Sequence, residues 1–204
     1  MRSLLAGPVV EVAPLLLGGT VVSNIGGEIV AVRIVEVEAY AGEGQDPASY
    51  AHRGPTPGSA RMFGPPGVAF VRFLYGMHWC LNVVTSPPGT GAAVLLRAGS
   101  VVHGLEAVRR RRARPDDRVP ADRDLGRGPA RLTAALAVTG EQDGLDLLDG
   151  SGPLRLRLAP TSQERVEAGP RVGVGAAPSR PWRFWLADEP AVSAYRAGGR
   201  RRTR

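Results

Sequence analysis

The sequence predicts a single α+β domain, mixed α/β in content, with sheet dominating its first half. Three observations carry this. RIVEVEAY, Arg33 to Tyr40, alternates apolar and polar residues as a strand with two different faces does. Two further apolar runs flank a turn-like Tyr75-Gly76-Met77-His78. The 204 residues show no compositional break and suffice for one sizeable core.

Taken in order, residues 1–13 are expected as an N-terminal extension, 14–195 as the domain, and 196–204 as a basic, disordered tail. A short helix from Leu15 to Gly18-Gly19 leads into a strand over Thr20 to Ser23. Asn24 to Gly27 turns the chain into a strand from Ile29 to Tyr40. Gly42 to Ala60, rich in Gly, Pro, Ser and Asp, reads as a long loop able to display binding groups. Strands follow at Val68 to Leu74, Trp79 to Thr85 and Ala92 to Ala98, then a helix from His103 to Arg112 ending in four arginines. Residues 113–128 mix both charges with prolines and are expected to be mobile, either touching nucleic acid or merely solvated. Pro129 to Ala137 suits a helix with proline in its first turn, and Pro153 to Leu158 and Arg183 to Leu186 suit strands.

Composition narrows the chemistry. The chain carries 26 basic and 19 acidic residues, a net charge of +7, and every basic side chain other than histidine is arginine. Such a balance suits a polyanionic partner, although an Ala, Gly, Pro and Arg-rich composition also follows from a GC-rich genome. The absence of lysine removes any Schiff-base mechanism that uses a lysine side chain. One cysteine, Cys80, permits neither an intramolecular disulfide nor paired-thiolate metal ligation. His52, His78 and His103 show no ligand spacing, so no metal and no cofactor are expected. The apolar N-terminus is interrupted by Pro8, Glu11 and Pro14, which argues against an export or membrane segment and for a cytoplasmic protein; a nucleoid-associated monomer is the separate expectation.

The two glutamates of the RIVEVEAY strand are the conspicuous feature. Alternation puts Ile34, Glu36, Glu38 and Tyr40 on one side and Val35, Val37 and Ala39 on the other. Carboxylates at i, i+2 lie roughly 7 Å apart, too far to share a proton but near enough to line one pocket. A solvated strand face is the competing reading.

RIVEVEAY together with DPAS, MFGPPGVAFVRFLYGMHWCLNVV (Met62 to Val84), AAVLLRA, GRGPARL, PRVGVG and PWRFWL, in that order, resembles the alkyladenine (3-methyladenine) DNA glycosylase family over about Pro14 to Tyr195. The resemblance implies a curved antiparallel sheet flanked by helices, similar to the C-terminal domain of formyltransferases. It also implies double-stranded DNA containing a damaged purine as the partner, the base being flipped into a pocket. Glu38 then corresponds to the catalytic carboxylate that activates water, and Arg97 to the arginine near that water and the DNA backbone. A strand-end arginine that merely snorkels is the alternative for Arg97. Tyr40 corresponds to the residue that stacks on the flipped base, and Asn82 to the one that crowds the purine 2-position. Tyr75 corresponds to the wedge that fills the gap in the duplex. Glu36 is left either supporting the site or solvated.

The family pattern is broken at three positions. DPASHA or a close variant places histidine four residues after the aspartate, whereas DPASYAH puts Tyr50 there and His52 two residues later. The aromatic residue expected two positions after Phe70 is Arg72, and the arginine expected after Thr56-Pro57 is Gly58. Tyr50, His52 and Arg72 are therefore the candidate base-binding residues beside Tyr40 and Asn82. A fixed charge at Arg72 opposes a cationic base, which implies weaker excision of 3-methyladenine and 7-methylguanine than of neutral lesions. The expected activity is a monofunctional glycosylase of base excision repair. The alternatives are a DNA-binding paralogue with weak or lost catalysis and an enzyme for unusual or bulky adducts.

Overall fold

The computed structural model describes residues 1–113, 115–116, 118–160 and 164–199. Helices α1 (Arg2–Leu5) and α2 (Val9–Leu15) precede strands β1 (Thr20–Ser23), β2 (Val30–Tyr40), β3 (Ala69–Leu74), β4 (His78–Thr85) and β5 (Ala92–His103). Helices α3 (Leu105–Arg112) and α4 (Pro129–Leu136) follow, then β6 (Leu154–Arg157), β7 (Val166–Gly169) and β8 (Arg183–Leu186). Every strand pairing is antiparallel, in the order β3-β4-β5-β2-β1-β6. The sheet curls around the long β2, which pairs with β5 on one edge. On its other edge β2 pairs first with β1, through Val30 to Arg33, and then with β8, through Glu36 to Glu38; β7 extends β8.

The β2–β5 ladder contains the feature that builds the site. Its register runs Ile34↔Gly99, Glu36↔Ala98, Val37↔Leu96, so Val35 on one strand and Arg97 on the other drop out of pairing. A bulge of this kind re-aims side chains. Before it, Val30, Val32 and Ile34 face the core; after it, Val35, Val37 and Ala39 do. Glu36 and Glu38 are thereby turned to the face opposite Ile34, which corrects the simple alternation that placed Ile34 beside them. Both glutamates are fully buried, so the solvated-face reading does not hold.

The chain's first helices also differ from expectation. The turn of helix sought at Leu15 to Gly18 lies earlier, as α2, where Val9, Val12, Ala13 and Leu16 at i, i+3, i+4 and i+7 are buried in the core with Leu5. Pro14 sits in the last turn of α2, where it removes one backbone hydrogen bond and its ring crowds the preceding turn, a cost of up to about 3 kcal/mol that the buried Val9, Val12, Ala13 and Leu16 together outweigh. Burial of each valine or leucine contributes about 1.5–3 kcal/mol, so packing wins. β5 continues to His103, and α3 begins only after Gly104, whose φ of 77° turns the chain.

The arginine run of α3 is occupied within the fold. Arg109 pairs with Asp122 and Glu106, Arg110 with Glu28, and Arg111 donates to the Ala135 carbonyl at 2.8 Å. A close approach of two glycines sets α4: Gly99 N–H donates to the Gly126 carbonyl at 3.1 Å, and a Cβ on Gly126 would lie 2.3 Å from the Gly99 oxygen. That contact brings Pro129 and Ala130 to the cavity beside Arg97. Of the expected tail, Arg196 accepts a hydrogen bond from Gly173 N–H at 2.8 Å, and residues 200–204 lie outside the described residues. Among the described residues no helix is long and apolar enough to cross a membrane.

Candidate active site

The sheet face that carries Glu38 and Tyr40 borders a cavity of about 500 Å³, within the ~300–1,000 Å³ usual for small-molecule sites. Glu38, Tyr40, Tyr50, Arg72, Asn82 and Arg97 line it together with Tyr75. His52 is the one sequence candidate not brought there. It lies in the turn that follows Asp46, with its Nδ1 buried and without a hydrogen-bond partner in the structure.

Glu38 projects from β2 and receives three contacts. Val172 N–H donates to its Oε1 at 2.7 Å, the Tyr40 hydroxyl donates to its Oε2 at 2.9 Å, and Arg97 lies 3.5 Å from Oε1. Burial nonetheless dominates and raises its pKa above the ordinary value of 4.5. Arg97, the Val172 amide and the Tyr40 hydroxyl pull it back down, while Glu36 adds to the rise. The result is a carboxylate desolvated enough to be basic and held in one orientation by donors on both oxygens.

Glu36 is the counter-ion behind this arrangement. Arg183 Nε donates to its Oε1 at 2.6 Å, and Arg97 Nε lies 2.9 Å from the same oxygen. Ser193 gives its backbone N–H to Oε2 at 2.8 Å and its hydroxyl to Oε1 at 2.9 Å. Arg97, displaced from the β-ladder, thus bridges both glutamates, and Ser193 Oγ accepts a further bond from its Nε at 3.1 Å. Buried charges persist only when paired in this way.

A second buried pair aims the loop that carries Val172. Arg171 forms a two-pronged ion pair with Asp46, NH1 to Oδ2 at 2.5 Å and NH2 to Oδ1 at 2.9 Å, and donates to the Ala39 carbonyl at 2.9 Å. The next residue's N–H is therefore fixed toward Glu38. The Arg171 guanidinium also lies 4.6 Å from the Tyr40 ring centre and 5.3 Å from that of Trp182, so Tyr40 is clamped at both its hydroxyl and its ring. Burial, followed by the charge of Glu38 and the bond to it, keeps the Tyr40 phenol protonated well above its ordinary range.

The wall opposite is formed by β3 and β4. Asn82, paired across the ladder with Phe70, donates its side-chain amide to the Phe70 carbonyl at 2.9 Å. Arg72 lies over the rings of Tyr50 and Phe70, and Gly58 packs against its guanidinium, where a Cβ would be 3.4 Å from NH2. All three positions that break the family pattern are therefore neighbours in space. Cys80 also lines the cavity, and burial pushes its thiol up to about 11, which keeps it un-ionised near neutral pH.

Tyr75 stands at the tip of the β3–β4 hairpin with 84% of its surface exposed. Tyr75 (φ 54°) and Gly76 (φ 67°) both adopt left-handed backbone, and Met77 N–H closes the turn on the Leu74 carbonyl at 3.1 Å. This is a type I′ turn, the form whose twist suits a hairpin. It holds an aromatic ring at the rim of the cavity, out in solvent.

Sequence reasoning left Glu36 without a role and did not single out Arg171, Arg183 or Ser193. Arg171 and Arg183 lie inside PRVGVG and PWRFWL, where an arginine at the start of an apolar run calls for a buried acid; Ser193 carries no such signal.

Comparison with known proteins agrees with this architecture. The family described as methylpurine-DNA glycosylase matches residues 3–190. A protein of Frankia casuarinae is 50% identical over 200 residues, covering 93% of this chain and 89% of its own length. One of Nocardia farcinica is 51% identical over 190 residues, covering 91% and 86%. Both are provisionally named 3-methyladenine DNA glycosylases. With the match spanning nearly all of the strands and helices that build the cavity, the chain belongs to the methylpurine-DNA glycosylase family.

Proposed function

We propose that this protein is a monofunctional DNA glycosylase that hydrolyses the N-glycosidic bond of a damaged purine in duplex DNA. The observation that carries the reading is Glu38: a fully buried carboxylate, raised in pKa, oriented by Val172, Tyr40 and Arg97 in the wall of a base-sized cavity. Family membership and the names of the relatives supply the substrate class.

In this reading the damaged nucleotide leaves the stack and its base enters the cavity against Tyr40 and Asn82, while Tyr75 fills the gap in the duplex. The C1′–N9 bond breaks with its electron pair departing on the purine, as the sugar gains oxocarbenium character. A water then forms the new C1′–O bond and gives its proton to Glu38. One carboxylate serves twice, because its charge also stabilises the cationic sugar. Arg97, held by Glu36, keeps Glu38 ionisable without neutralising it through a direct hydrogen bond. The chain has no lysine side chain to attack C1′, so the product is an intact abasic site.

Wild type and Glu38→Gln are incubated with duplexes containing hypoxanthine, ethenoadenine or an alkylated purine, and abasic sites are then cleaved with alkali. Strand cleavage with wild type alone supports the reading. Tight binding without product from either protein would instead identify a DNA-binding paralogue.

A further inference from the structure

Arg72 is the surplus charge of the cavity. Among the described residues that line it, the charged ones are Glu38, Arg72 and Arg97. Glu38 and Arg97 belong to a balanced buried group with Glu36 and Arg183, two carboxylates against two guanidinium ions. Arg72 has no carboxylate within ion-pair distance and donates to no acceptor among the described residues, and its buried Nε has no hydrogen-bond partner in the structure. Two π-faces hold it in place: its guanidinium carbon lies 5.3 Å from the Tyr50 ring centre and 5.9 Å from that of Phe70. Gly58 lies beside the guanidinium, where a Cβ would stand in ordinary van der Waals contact with it.

Resting on the glycosylase reading above, we propose that Arg72, seated on Tyr50, is the specificity-determining residue, and that it turns the cavity toward neutral purine lesions with hydrogen-bond acceptors on the base edge. A guanidinium with unfilled donors gains most from an oxygen or ring-nitrogen acceptor, as the O6 and N7 positions of a deaminated purine supply. A purine methylated at N7 loses the N7 acceptor and carries a positive charge, which the Arg72 guanidinium repels across the cavity. The energetics favour the same class twice, through a bond gained and a repulsion avoided.

The test places a hypoxanthine duplex and a 7-methylguanine duplex, distinguished by fluorophores, in one tube under enzyme excess. The ratio of the two excision rates is then independent of how much protein is folded. Wild type should favour hypoxanthine. Arg72→Met should lower the ratio by about tenfold or more, since a factor of ten needs only ~1.4 kcal/mol and nearby unit charges in protein interact more strongly. Arg72→Lys, which keeps the charge, should stay closer to wild type. An unchanged ratio in Arg72→Met, or a wild type that prefers 7-methylguanine, overturns the assignment while leaving the glycosylase reading intact. Release of neither base by wild type overturns both.

Discussion

Tyr40 donates its hydroxyl to Oε2 of Glu38 at 2.9 Å, two residues along the same strand. That bond is made to the ionised carboxylate and so lowers a pKa that burial has raised. Tyr40→Phe keeps a ring for stacking and removes only the donor. Glu38 should then be harder to ionise. The acid limb of the excision rate against pH, already above the ordinary glutamate value of 4.5, should move further up. A single-turnover pH profile of the two proteins reads this directly, and an unmoved or lowered limb would count against Glu38 as the base.

Glu38→Gln separates catalysis from folding. Excision should fall by about 10²–10⁴, the usual contribution of a general base, with duplex binding retained. Stability should change in the opposite sense. Because the folded pKa of Glu38 lies above its unfolded value, folding favours the protonated form. That contribution is full below the unfolded pKa and is lost as pH rises through the folded pKa. At pH 7 the buried charge is a net cost, so Glu38→Gln should have the higher Tm there, with the difference shrinking toward acid pH in scanning calorimetry.

Glu36 should behave in the reverse way. Its carboxylate neutralises Arg97 and Arg183 and accepts two bonds from Ser193. Glu36→Ala leaves Arg183 without its carboxylate and Arg97 with Glu38 alone, and breaking a buried pair from one side costs about 3–5 kcal/mol. Urea denaturation should show a lowered midpoint with little change in slope. A loss under 1 kcal/mol would mean that the network is not what holds this corner of the fold.

The hairpin tip offers a variant with almost no folding consequence. Tyr75 is solvent-exposed in a left-handed conformation that asparagine tolerates. Tyr75→Asn should leave stability within about 0.5 kcal/mol. Loss of one stacking ring, about 1–3 kcal/mol, should nevertheless weaken binding of lesion duplex by roughly 5- to 150-fold. Fluorescence anisotropy measures this, and undiminished affinity would remove Tyr75 from the DNA contact.

Much of the framework was readable from local pattern, and the misses have definite causes. The alternation in RIVEVEAY marked β2, and Tyr75-Gly76 marked the hairpin, because period and turn chemistry act over a few residues. The periodic Val9, Val12, Ala13, Leu16 is equally local, yet it falls across the expected boundary between an extension over residues 1–13 and a helix starting at Leu15. The helix expected from His103 starts later, because β5 extends through His103 to the break at Gly104.

By itself the sequence determined which side chains were available: two glutamates and a tyrosine on one strand, an exposed aromatic turn, and arginine as the only long cation. Only tertiary structure decided which way they face and what each one touches. The bulge that turns Glu36 and Glu38 away from the core needs Val35 and Arg97 to leave the ladder together, an event shared by two strands some sixty residues apart in sequence. The partners of Glu36 come from Arg183 and Ser193 near the other end of the chain, and the distance of His52 from the cavity depends on how the Asp46 turn is pinned by Arg171. A buried charge must find its counter-charge wherever the fold brings one near, and sequence spacing carries no record of that proximity.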